Sequence, residues 1–201
     1  MISKIDIASQ ALLLCRAQPI SSFEDGTNES DIINSFYETF IRDIFSRYPW
    51  TFALKKERLV KTTEKPINEW NYNFVLPSDM LTLRAVYNTD QVRARTITEY
   101  EMRNGYLQTN EENIWVEYTA LVPESNWAPY FTQYAIYALA SLICMPITDD
   151  ESLTQYLQAI AYGNVSDAEK GGKFRTAVQQ DSQLSPYTQP YMGVLADARW
   201  I

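Results

Sequence analysis

Histidine is absent from this 201-residue chain. That gap removes Ser-His-Asp and Cys-His catalysis, the histidine-based zinc motifs and the usual neutral-pH proton shuttle. Cysteine is scarce too: Cys15 and Cys144 form no Cys-x-x-Cys pair and fall short of four thiolates. Both lie in apolar helical contexts, so they read as small buried hydrophobes, compatible with assembly in a reducing cytoplasm. Basic clusters are missing as well. With 17 basic against 25 acidic residues the formal charge is -8, and the densest run, Lys55-Lys56-Glu57-Arg58, carries an acid of its own. A solvated strand face explains it better than a phosphate-gripping patch. Glycine-rich phosphate loops are lacking: Gly171-Gly172 precedes Lys173-Phe174 without the upstream Gly or the downstream Ser/Thr.

Long apolar runs are equally thin. Lys4 and Asp6 precede an apolar stretch, 11–14, too short for a signal peptide. Residues 125–148 carry no charge, yet they include Asn126, Pro129, Thr132, Gln133 and Pro146. The dense apolar part, 134–145, is shorter than the roughly 20 residues that span hydrocarbon, so a helix buried on most sides is expected, not a membrane segment. No internal repeat or low-complexity run is present.

What is there is a chain 46% hydrophobic, long enough for one sizeable core or one core with a smaller satellite layer. Pro19 and Asp25-Gly26 break the chain, Thr27 or Asn28 can cap a helix, and Ile32, Ile33, Phe36, Tyr37, Phe40, Ile41 and Ile44 recur at helical spacing until Pro49. Helices are predicted over 5–17, 28–48, 127–145 and 149–181. The last is opened by a Thr148/Glu151 capping box and faced by Leu153, Tyr156, Leu157, Ile160 and Val165, with Gly171-Gly172 as a place for a bend or interruption. Between them, β signals occupy 51–122: strands over 51–60, 70–76, 80–87, 95–100 and 114–122, with a hairpin turn at Asn104-Gly105. The fold class is therefore α+β, an antiparallel helical bundle with an inserted antiparallel sheet. Residues 1–181 read as a single domain, and 182–201 as an extended C-terminal tail whose aromatics call for a covering partner.

Paired carboxylates occur at Glu24-Asp25, Glu111-Glu112 and Asp149-Asp150-Glu151, each in a turn or at a helix start, where acids serve local roles. A magnesium site built of carboxylates alone is chemically feasible, but spacing nominates no residues for it. The aromatic content, 13%, falls mostly on apolar faces, as at Phe36, Tyr37, Phe40, Tyr134 and Tyr137, and reads as core packing. No catalytic, cofactor-binding or metal-ligating residue is nominated.

Taken together, Pro19-Ile20-Ser21-Ser22-Phe23, Asp25-Gly26-Thr27, Pro49-Trp50 followed by Phe52-Ala53, Leu76-Pro77-Ser78-Asp79, and Trp127-Ala128-Pro129 leading into an Ala-rich helix resemble the head-to-tail adaptor of podoviruses, the tail tubular protein A family. Arg16 stands where that family usually has a Gly before the Pro-Ile loop. The resemblance implies a structural virion protein: a ring, typically a dodecamer, between the portal and the tail nozzle in the virion neck, assembled in the host cytoplasm, with DNA passing through the lumen without specific binding. On this expectation Tyr187, Tyr191 and Trp200 anchor the tail on a neighbour or the portal. The hairpin at Asn104 and Gly105 meets the nozzle or the adjacent adaptor. Two other classes stand beside it: a carboxylate-only metal-dependent hydrolase, and a non-viral scaffold or interaction domain.

Overall fold

A computed structural model describes residues 2–66, 68–91 and 96–184. The chain is α+β, with five helices and two antiparallel sheets.

The first helix, α1 (Lys4–Leu14), opens on a reciprocal capping box between Ser3 and Asp6. It stops three residues before the predicted end at 17. Arg16 N–H donates to Leu13 O and Ala17 N–H to Leu12 O, both at 3.0 Å, and Arg16 takes the left-handed conformation (φ 60°). These bonds satisfy the last carbonyls as a glycine would, at a cost of about 1–2 kcal/mol for a residue with a Cβ. In the loop that follows, the Asp25 carboxylate accepts from Ser21 N (2.7 Å) and Ser22 N (2.9 Å). Ile20 is buried, and Phe23 packs edge-on to Tyr37. Thr27 then caps α2 (Asn28–Ser46), boxed with Ser30.

α2 ends two residues short of the predicted boundary because the chain must straighten before Pro49. Trp50 then turns wholly inward. Its indole N–H donates to Ile44 O at 3.0 Å, and its ring meets Phe131 at 4.9 Å and Phe174 at 6.1 Å. Phe45, Trp127 and Tyr134 complete this aromatic centre of the helical core. Around it, α3 (Pro129–Thr148) packs against α1, α2, α4 (Glu151–Tyr162) and α5 (Gly172–Leu184).

α3 starts two residues after the predicted 127, with Pro129 in its first turn, where a missing N–H costs nothing. It runs past the predicted end at 145, because Pro146 sits in the last turn and removes a single ladder bond. Asp149 (φ 52°) closes it. The next helix is capped by Asp150, which accepts from Leu153 N at 2.9 Å, so the Thr148/Glu151 box does not form; Thr148 Oγ1 instead donates to Cys144 O. The helix predicted over 149–181 is in fact two. Gly163 (φ 87°) ends α4, and a loop to Gly171 reverses the chain before α5. α5 also takes in 182–184, which were predicted as the start of the tail; 185–201 lie outside the described residues.

The predicted strand over 51–60 begins instead with a helical turn, Thr51–Ala53. It continues as β1 (Leu54–Arg58) and β2 (Val60–Lys61), and β3 (Tyr72–Val75) and β4 (Met80–Tyr87) follow. The strand predicted over 95–100 is displaced: Thr96 makes one bridge to Tyr87, β5 runs Tyr100–Arg103, and Arg95 lies outside the described residues. β6 (Tyr106–Thr109) and β7 (Trp115–Ala120) complete the set.

These strands form two sheets where one was expected, ordered β1-β7-β4 and β2-β3-β6-β5. At Leu59, whose N–H donates to Ile114 O at 2.9 Å, the strand passes from one sheet to the other. Leu59, Phe74, Leu107, Ile114, Val116 and Tyr118 fill a second core. Arg84 joins this layer to the helices, donating to Thr119 Oγ1 (2.8 Å) and to Ser46 O (3.3 Å) at the end of α2.

Candidate interaction surfaces

Asn104 and Gly105 form the two-residue tip between β5 and β6, with φ of 53° and 80°. Two successive left-handed residues match the right-handed twist of the flanking strands, which is why an Asn-Gly pair sits there. The tip is exposed at the edge of the four-stranded sheet. Tyr187, Tyr191 and Trp200 lie outside the described residues.

The acidic pairs sit apart and serve local purposes. Asp25 organises the 21–25 turn, Asp149 and Asp150 close one helix and open the next, and Glu112 lies 3.8 Å from Lys61. The Ser3 hydroxyl, with the Ser3 N–H, holds the Asp6 carboxyl below its ordinary range, and the Ser22 and Ser21 N–H groups do the same for Asp25. Among the described residues no three metal-ligating side chains converge. Cys15 and Cys144 are both buried free thiols. Burial, with Cys144 beside it, pushes the Cys15 thiol up, which keeps it protonated and unreactive.

Asp79, from the Leu76-Pro77-Ser78-Asp79 bend, ties two strands of the three-stranded sheet. It pairs with Lys55 and accepts from Tyr118 OH at 3.0 Å, and the Lys55 ammonium leads in lowering its pKa. β1 itself is largely exposed. Its cations lie over aromatic rings, Lys56 on Tyr87 (4.4 Å) and Arg58 on Trp115 (5.4 Å), with Lys61 of β2 on Tyr72 (4.0 Å).

Asp181 is the one fully buried charged side chain among the described residues. Its carboxylate accepts from Thr51 N (3.1 Å), Thr51 Oγ1 (2.9 Å) and Tyr130 OH, fastening the last turns of α5 to the entrance of the β layer and the start of α3. Burial, together with this carboxylate, pushes the Tyr130 phenol up to about 12.

The largest departure from expectation concerns Phe36 and Tyr156, which are not core: they are 38% and 62% exposed, and Leu142 of α3 is 42% exposed. Phe36 and Leu142 border a groove of about 450 Å³ between α2, α3 and α4, walled also by Phe40, Ala138 and Tyr162. Arg47 reaches across one end of it, bonded to Asp43 (2.7 Å) and Glu169 (2.9 Å) and stacked 4.8 Å over Tyr162. Periodicity alone assigned Phe36 to the same stripe as Tyr37 and Phe40. The signal that separates them is the width of that stripe, since Ile33, Tyr37, Phe40 and Ile44 already complete the buried face.

α3 is the one described helix long and apolar enough to cross a membrane by length and composition, and 56% of that window is buried against the rest of the chain. No family model matches this chain, and no curated protein matches it.

Proposed function

We propose that this chain is a structural subunit of a ring, a head-to-tail adaptor of the podovirus type, and does no bond-making. The observation that carries the reading is where its signature residues fall. Ile20 and Phe23 lock the α1–α2 loop, Trp50 centres the helical core, and Asp79 ties β1 to β7. Trp127 donates to Val122 O at 2.8 Å where the chain returns from sheet to helix. Each signature thus holds a loop, a core or a pair of elements in place, as expected of residues that specify an architecture and unlike a set converging on a reactive centre.

A ring repeats one heterologous contact, so each subunit presents two unlike faces. The exposed Asn104-Gly105 hairpin and the α2–α3–α4 groove are two unlike surfaces of this kind. Charge also fits a conduit. Residues 51–122 hold 10 acids and 9 bases, the rest of the chain 15 and 8, so the negative charge resides mainly outside the β region. A bore lined by an antiparallel helical bundle of this composition repels phosphates and lets DNA slide. In this reading the tail, with Tyr187, Tyr191 and Trp200, docks on a neighbour or the portal.

Electron microscopy of the purified chain, alone and mixed with portal protein, tests the proposal. Closed rings seated on the portal are expected. Solitary particles under assembly conditions, or turnover of DNA or glycan with divalent metal, refute it.

A further inference from the structure

The groove between α2, α3 and α4 has apolar walls and spent charges. Arg47 is already paired with Asp43 and Glu169, so an incoming anion finds no free cation there. Phe36 and Leu142 stand exposed on its two sides, and a second hollow along α4 adjoins it through Gln158 and Tyr162. Thr39, Ser141 and Gln158 add polar groups to the groove's lining. At about 450 Å³ the groove falls in the range, on the order of 300–1,000 Å³, that takes up side chains or small ligands. Its chemistry suits aromatic and aliphatic groups with a hydroxyl or two.

The chain itself carries such a segment. Beyond Leu184 come 17 residues that include Tyr187, Tyr191, Met192, Leu195, Trp200 and Ile201, with Asp197 and Arg199 as the only charges. Pro186 and Pro190 lower the entropy lost when a peptide of this sequence is ordered on a surface.

The exit point of α5 sets the distance the segment has to span. α5 runs antiparallel to α3, with Lys173 over Tyr137 at one end and Asp181 bonded to Tyr130 at the other. It therefore releases the chain beside the start of α3. The groove lies back along α3 at Ala138 and Leu142, on the order of 15 Å away at 1.5 Å per residue. Seventeen residues span more than that distance at about 3.3 Å each, so reach admits the chain's own groove and a neighbour's alike, and the self-assembly reading selects the neighbour's.

We propose that residues 185–201 of one copy occupy the α2–α3–α4 groove of an adjacent copy, an aromatic ring seated between Phe36 and Leu142. This rests on the self-assembly reading above and supplies its heterologous contact: donor segment on one side, receptor groove on the other.

Cysteine pairing in the full chain tests it, because the native Cys15 and Cys144 are buried. Ser141→Cys marks the groove and Gln189→Cys the segment, leaving the apolar walls and aromatic anchors intact. Mixed in equal amounts and oxidised under assembly conditions, the two single variants are expected to give a disulfide-linked heterodimer. Adding Leu142→Glu to the groove partner should lower its yield at least tenfold with the melting temperature unchanged within about 2 °C.

Rings without the cross-link overturn the groove contact and leave the ring standing. A cross-link formed only within the double variant assigns the segment to its own subunit and overturns the proposal. Cross-linked pairs without closed rings support the groove contact and remove the ring.

Discussion

Replacing Asp181 with alanine should unfasten α5. The carboxylate is wholly buried and accepts from three neutral donors, Thr51 N, Thr51 Oγ1 and Tyr130 OH. Deleting it strands those donors in partly buried positions, at about 1 kcal/mol or more each. Relief from burying a charge without a cation offsets part of this. The expected net loss is about 2 kcal/mol, and for a chain of this length each kcal/mol shifts the melting temperature by roughly 2–4 °C, so a fall of roughly 4–8 °C is expected. Otherwise α5 buries only Phe174 and Ala177, so the damage should be local first: amides of 178–184 should exchange faster than those of α3. Tyr130→Phe removes one donor and should cost about 1 kcal/mol, and a double-mutant cycle of the two should show coupling of similar size. Thermal melts and hydrogen exchange read all of this. A fall of less than about 2 °C for Asp181→Ala, with unchanged exchange in α5, would refute the idea that this carboxylate holds the helix.

Two glycines separate steric from conformational cost. A Cβ on Gly172 (φ 55°) would lie 2.3 Å from Ile160 O and 2.8 Å from Gly163 N, so Gly172→Ala should lose at least about 2 kcal/mol in chemical denaturation. Gly105→Ala meets nothing within 4 Å and should lose about 1 kcal/mol from its φ of 80° alone; equal losses for the two would contradict this reading. Acid should weaken the fold from one direction. Asp6, Asp25 and Asp79 all have lowered pKa values in the folded chain, so their stabilisation is full above the unfolded carboxyl range and drains away as pH falls below about 4 through the folded values. Melting temperature should hold from pH 7 to 5 and drop below 4, more shallowly in Asp79→Asn, whereas a flat profile to pH 2.5 counts against it. If the helical layer lines the bore, Asp31→Lys with Glu38→Lys on the exposed side of α2 should slow genome ejection; unchanged ejection removes the bore-charge idea.

Local chemistry was legible in the sequence wherever neighbours along the chain do the work. Thr27 before a helix, Asn104-Gly105 between strands and Pro49 after α2 act within a few residues of themselves, so their effects need no partner from elsewhere. The span of β4, Met80–Tyr87, was read to the residue for the same reason.

What tertiary structure decided is everything that depends on a surface meeting another surface. Leu59 reads like any strand residue, yet the second core beneath it turns one sheet into two. Residues 149–181 read as one helix with a place for a break at Gly171-Gly172, and the close approach of Gly163, Gly171 and Gly172 folds them into two antiparallel helices on α3. Phe36 shares the spacing of its buried neighbours and stays exposed because no other element among the described residues covers that side of α2. Asp181 looks like a surface acid until Thr51 and Tyr130, far away in sequence, converge on it. Composition and spacing therefore placed most helices and strands and removed the catalytic chemistries that need histidine. Burial is a property of pairs of surfaces, and only the folded chain could assign the groove, the latch and the sheet boundary.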